Sequence, residues 1–225
     1  MTVTARHVGE RIGAEVALAP LPALSKLGGA TVQDCRTDTP PSNWPAVQVL
    51  ALFPPRQPAG TLATQRAAAQ ILARQVLVQR LGATAVASWL QLRREARGAQ
   101  SVSFSHEVGA SLLAWSTSGV VGVDLVDLDG LARASQQELT ATAALYLGPE
   151  AAAAVAAAPL APASRLAFAL RWCSFEAKLK CLGLELNEWQ SELDGEFGHI
   201  ATVRVYVEAV YGQVSARWIG CLAWR

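Results

Sequence analysis

Apolar and polar positions alternate loosely in the first part of the chain. Ile12–Leu18 and Ala46–Phe53 read as strands, the second preceded by a polar, proline-rich loop over Thr37–Pro45. After Pro54-Pro55 and Gly60 the period changes. Ile71, Leu72, Val76, Leu77 and Val78 recur at helical spacing, which predicts a helix over about Leu62–Leu81 stopped by Gly82. Val86–Leu92 reads as a strand and Gly98 as a turn. The stretch Ser101-Val-Ser-Phe-Ser-His106 alternates again, and Ser111–Trp115 and Val120–Leu128 follow as strands with a turn at Ser118-Gly119. Ser135–Leu182 is mostly helical, with breaks at Gly148-Pro149 and Pro159–Pro162. Its last helix is expected from Ser164, as N-cap, to Leu182, with Gly183 as the stop. Ala201–Tyr211 and Val214–Trp224 read as a closing hairpin around Gly212. Each half thus runs strands, long helix, strands, which predicts an α+β fold in two similar halves, 1–118 and 119–225.

With 225 residues the chain is long enough to bury a substantial core. Apolar residues make up 52% and charged residues 16%, which points to an extensive core or a partly apolar surface that meets a partner. The formal net charge of +1 supplies no global field for nucleic acid or an anionic membrane, so neither is expected as a partner and any phosphate-binding charge must be local. No signal peptide is read at the N-terminus, and Ala151–Ala158 is too short to span a bilayer. Cys35, Cys173, Cys181 and Cys221 show no CxxC spacing, so buried reduced thiols in a cytoplasmic protein are expected rather than zinc or disulfides.

Three short segments carry chemistry. Val102-Ser-Phe-Ser-His106 places a hydroxyl and an imidazole together, two groups able to hydrogen-bond phosphate oxygens. A Ser/His hydrolase is disfavoured, because the G-x-S-x-G elbow is missing and adjacent strand residues face opposite ways. In Gly122-Val-Asp-Leu-Val-Asp127, Asp124 interrupts an apolar strand, which is costly unless the charge is paired or metal-bound. In Trp172-Cys-Ser-Phe-Glu176-Ala-Lys178-Leu-Lys180, Glu176 and Lys180 share a helix face. Taken singly, these are a half-buried histidine, a strand-end aspartate and a solvated ion pair. Taken together, two carboxylates from different elements with a Ser, a His and a Lys suit a diphosphate held with a divalent cation.

The set resembles the signature of the 4'-phosphopantetheinyl transferase superfamily, nearest to its surfactin-synthetase-activating class. That signature is S-x-S-H, then G-[IV]-D, then W-x-x-K-E-[AS]-x-x-K, matched in order by Ser103–His106, Gly122–Asp124 and Trp172–Lys180, with Gly183-Leu184 after the helix. The resemblance covers about residues 97–128 and 165–185. It implies a pseudo-twofold α+β fold with coenzyme A between the halves. It also implies transfer of the phosphopantetheine arm to a serine of an acyl or peptidyl carrier protein by a monomer. On that reading Ser105 and His106 contact the coenzyme A phosphates. Asp124 and Glu176 bind Mg²⁺. Lys180 neutralises the diphosphate, Lys180 and His106 serve catalysis by offsetting the charge that builds on the leaving group, and Glu176 stands where the family places the base. Arg74 falls near a family arginine that meets the nucleotide, and Arg97-Gly98-Ala99 loosely resembles the segment beside the adenine. Arg93, Arg94 and Arg97 are candidates for a basic rim toward an acidic carrier.

Two positions depart from the pattern. Val126 stands where the class has a further acidic ligand. The resulting Asp-Leu-Val-Asp run is closer to the D-I-V-E of the short holo-acyl-carrier-protein synthases. Phe175 stands where it has a lysine, with Lys178 and Arg171 the nearest basic residues able to stand in. These departures motivate an alternative, a member with reduced turnover that binds coenzyme A or a carrier protein.

Overall fold

The computed structural model describes residues 2–8, 31–34, 47–53, 62–84, 86–87, 101–117, 119–211 and 214–225. The chain is α+β. Its strands are β1 (Thr2–Val8), β2 (Thr31–Asp34), β3 (Val47–Phe53), β4 (Val102–Glu107), β5 (Ala110–Ser116), β6 (Val121–Asp127), β7 (Ala201–Tyr211) and β8 (Val214–Trp224). Its helices are α1 (Leu62–Leu81), α2 (Gln136–Tyr146), α3 (Pro149–Ala156), α4 (Ala161–Leu182) and the short α5 (Glu192–Phe197). The strands form two four-stranded sheets, ordered β2-β3-β5-β4 and β1-β7-β8-β6, and every paired neighbour is antiparallel.

Alternation along β3 explains how the layers stack. Val47, Val49, Ala51 and Phe53 point into a core shared with Val121, Val123 and Leu125 of β6 and Val203, Val205 and Val207 of β7, so the two sheets pack face to face. Phe53 meets Trp218 edge to face across that interface. The intervening Leu50 and Leu52 point outward to α1, which buries Ala69, Leu72, Ala73, Val76 and Leu77 at helical spacing. Ile71, expected on that face, is exposed. On the outer side of the other sheet, α4 buries Ala169, Cys173, Ala177 and Cys181, a stripe repeating every four residues whose small side chains let the helix come close.

Gly82 and Gly183 end α1 and α4 with positive φ (84° and 73°), a conformation cheap only for glycine. Other expectations are corrected. α4 begins at Ala161 after Leu160, with Pro162 in its first turn, so Ser164 is not its cap; the Ser164 hydroxyl donates to the Ala161 carbonyl instead. Val86 and Ala87 are helical, not extended. The expected strand Ile12–Leu18, the turn at Gly98 and Cys35 lie outside the described residues. β1 and β2 were not anticipated. β1 crosses the boundary drawn at residue 118, because it pairs with β7 in the sheet built otherwise from residues 121–224. Cys173, Cys181 and Cys221 are buried free thiols. No helix among the described residues is long and apolar enough to cross a membrane.

Candidate functional site at the seam of the two sheets

β4 and β6 are the edge strands of different sheets, and they lie side by side. The outward N–H groups of β6 need acceptors there, and serine side chains on β4 supply them. Val123 N donates to Ser103 Oγ (2.9 Å) and Leu125 N to Ser105 Oγ (3.1 Å). Both steps advance by two residues, so β4 and β6 run parallel along this seam. Ser105 Oγ in turn donates to Asp124 Oδ1 at 2.9 Å.

Asp124 points away from the inter-sheet core, toward α4. Two residues earlier, Gly122 lies directly against the α4 backbone at the Ala177 carbonyl and Cys181 N. A side chain there would push the helix off, so the glycine sets the close approach. Lys180 Nζ donates to Asp124 Oδ1 at 2.7 Å and lies 3.8 Å from Glu176 Oε2 one helical turn earlier. Three of the residues singled out from sequence, on β6 and α4, therefore meet, and Ser105 joins them from β4.

Asp124 is only 6% exposed. Burial raises its carboxyl above the usual range, opposed by Lys180 and the Ser105 hydroxyl. Glu176 is also raised, by burial and then by the Asp124 charge, with Lys180 opposing. Glu107, which sequence reasoning missed, is pushed up to about 7, by burial first and then by Asp124 and Asp127. It shares the β4 face of Ser103 and Ser105. Its only sequence signal was that alternation.

His106 stands on the opposite face of β4. Its Nδ1 lies 2.8 Å from Ser111 Oγ across the hairpin, its ring stacks parallel to Phe104, and its buried Nε2 has no hydrogen-bond partner among the described residues. Burial, and then Arg66 of α1, lower its pKa below the ordinary imidazole value. Arg66, like Glu107, was not picked out from sequence. Arg74 is exposed on α1, in a different layer from Asp124 and two helical turns beyond Arg66. Arg93, Arg94, Arg97, Gly98 and Ala99 lie outside the described residues.

The two departures from the family signature are core residues. Val126 and Phe175 belong to one apolar cluster, where Phe175 packs edge to face on Phe197. Neither basic neighbour takes the missing lysine's place. Lys178 Nζ sits over the Phe197 ring, and Arg171 donates to the Ala167 carbonyl of its own helix.

No protein-family model matches this chain, and no curated protein matches it at a significant level. What the site can do must be argued from its groups. Among the described residues no group of three or more His, Cys, Asp or Glu side chains is gathered as a metal site. Asp124 and Glu176 offer hard oxygen donors from two elements. That set suits Mg²⁺, which commonly takes one or two carboxylates and completes its shell with water and substrate phosphates.

Proposed function

We propose that this chain is a 4'-phosphopantetheinyl transferase, with the pseudo-twofold α+β architecture of that superfamily. It would move the phosphopantetheine arm of coenzyme A to a serine of an acyl or peptidyl carrier protein. The observation that carries the reading is the meeting of Asp124 and Glu176 around the Lys180 ammonium, 2.7 and 3.8 Å away. Two carboxylates and a cation, reached from separate elements and largely withdrawn from water, form an electrostatic site rather than a surface ion pair. The two long helices lying on separate sheets agree with the architecture.

Asp124 and Glu176 would hold Mg²⁺, whose part when bound is to screen and polarise the diphosphate. The chain's own residues do the rest. Glu176, made more basic by burial, takes the proton of the acceptor serine, directly or through water. The serine oxygen forms a bond to the phosphorus that bears the pantetheine arm. The bond from that phosphorus to the bridging oxygen breaks, and adenosine 3',5'-bisphosphate leaves with the electron pair. Lys180 offsets the charge that builds on the diphosphate. His106, on the other face of β4, would offer a hydrogen bond to a coenzyme A phosphate. Arg74 would meet the nucleotide end.

The test is mass spectrometry of apo-carrier proteins incubated with coenzyme A, Mg²⁺ and the protein. The expected result is a mass gain of one phosphopantetheine arm, lost in Glu176→Gln. Absence of that gain across fatty-acid, polyketide and peptide-synthetase carriers overturns the activity, and a fully active Glu176→Gln overturns the base assignment.

A second reading is favoured by one observation. Val126 and Phe175 replace a carboxylate and an ammonium with packed apolar groups in the same cluster. A binding module with reduced turnover would then retain coenzyme A or carrier-protein affinity. Calorimetry showing coenzyme A binding that is indifferent to Mg²⁺, without transfer, would establish it.

A further inference from the structure

We propose that Ser105 is a positioning residue that acts through Asp124, and not a phosphate contact. The inference rests on the reading of Asp124 as a working carboxylate. The Ser105 hydroxyl is fully engaged within the protein. It accepts from Leu125 N at 3.1 Å and donates to Asp124 Oδ1 at 2.9 Å, and the residue is buried. A hydroxyl has one proton to give, and this one is given to the carboxylate. Donation to a phosphate would take the donor from Asp124. The bond fixes Asp124 from the side opposite α4, so that Oδ1 is held between a hydroxyl on β4 and the ammonium of Lys180 on α4. A carboxylate so clamped keeps one rotamer, and that is what a cation-binding carboxylate needs.

Ser103 supplies the control. It accepts from Val123 N at 2.9 Å in the equivalent seam position, two residues earlier. Ser103→Ala takes the serine acceptor from Val123 N, and Ser105→Ala takes it from Leu125 N, whose N–H also bonds the Asp124 carboxylate. Only the second also removes a donor from Asp124. The difference between the two variants isolates the positioning bond from the loss of a seam bond.

The experiment measures Mn²⁺ binding to the full chain by electron paramagnetic resonance, alongside steady-state transfer kinetics. Ser105→Ala is expected to weaken Mn²⁺ binding roughly tenfold or more, the usual effect of losing an outer-shell partner. It should lower kcat while leaving KM for coenzyme A within about twofold of wild type. Ser103→Ala should leave Mn²⁺ binding within about twofold, and Ser105→Thr, which keeps the hydroxyl, should restore it. If Ser105→Ala does not fold, Ser105→Cys, with only a weak S–H donor, is measured in its place and should fall on the weakened side. Equal effects of the Ser103 and Ser105 variants overturn the inference and leave the proposed function standing. A raised KM for coenzyme A with unchanged Mn²⁺ binding makes Ser105 a phosphate contact and likewise overturns it. Wild-type protein that binds no Mn²⁺ overturns the functional reading and this inference with it.

Discussion

Glu107 is a carboxyl group that folding places where it does not ionise easily. Its side chain sits at the same seam as Ser105, within reach of the charges of Asp124 and Asp127, and its pKa rises from the ordinary 4.5 to about 7. The folded protein therefore holds a proton that the unfolded chain releases between those values. The resulting penalty is absent below about pH 4.5, grows as pH rises, and is fully present above 7. Glu107→Gln removes it. The variant is expected to be more stable than wild type at pH 8, by roughly 1–2 kcal/mol once solvent screening is allowed for, with the gap closing toward pH 4.5. Urea denaturation at both pH values measures this. A gap of the same size at the two pH values would show that folding does not shift the Glu107 carboxyl.

At the scale of elements, the site exists because β6 and α4 touch. Gly122 makes that possible, since a Cβ there would run into the backbone of α4 at Ala177 and Cys181. Gly122→Ala forces helix and strand apart and is expected to cost about 1–3 kcal/mol, as overpacking in a rigid core does. It should also separate Asp124 from Lys180, so the proposed transfer activity should fall by more than the loss of folded protein explains. Gly195→Ala, in α5 with open space around it, is the control and should leave stability nearly unchanged. Thermal unfolding of both variants decides the matter, and a Gly122→Ala that melts with wild type would refute the close-packing argument. Helix and strand periodicity made α1, β6, α4 and the β7–β8 hairpin legible in the sequence, because each is long enough to show its own period. Glycine stops worked for the same reason: positive φ is a local demand. Ser164 misled because a proline in the first turn is a stronger start signal than a serine two residues later. Glu107 and the Ser105–Asp124 bond were not legible. Their environment comes from β6, nineteen or so residues away across a seam that no local pattern encodes. The meeting of Asp124, Glu176 and Lys180 was anticipated from paired motifs, while the burial of Val126 and Phe175 beside them was not.

At the scale of the molecule, β1 is a seven-residue segment added at the edge of the sheet to which β6 belongs. It pairs with β7 over seven residue positions, Thr2 opposite Val210 through Val8 opposite Arg204. β2, at only four residues, is likewise defined by its partner β3. The free energy that β1 contributes is a small difference. Each backbone hydrogen bond is worth about 1 kcal/mol net, and fixing each residue costs about 1–2 kcal/mol of entropy, so side-chain burial must supply the balance. Deleting Thr2–Val8 should therefore lower the melting temperature by only a few degrees, since about 1 kcal/mol moves a chain of this size by roughly 2–4 °C. The larger consequence is at the edge. β7 alternates buried Val203, Val205 and Val207 with more exposed residues and would present its unpaired N–H and C=O groups to solvent. A long, regular edge of this kind recruits another strand. The truncated protein is expected to self-associate at concentrations where the intact chain does not, as measured by sedimentation velocity over a concentration series. If the two proteins sediment alike at every concentration, β1 is not what keeps that sheet closed to other chains.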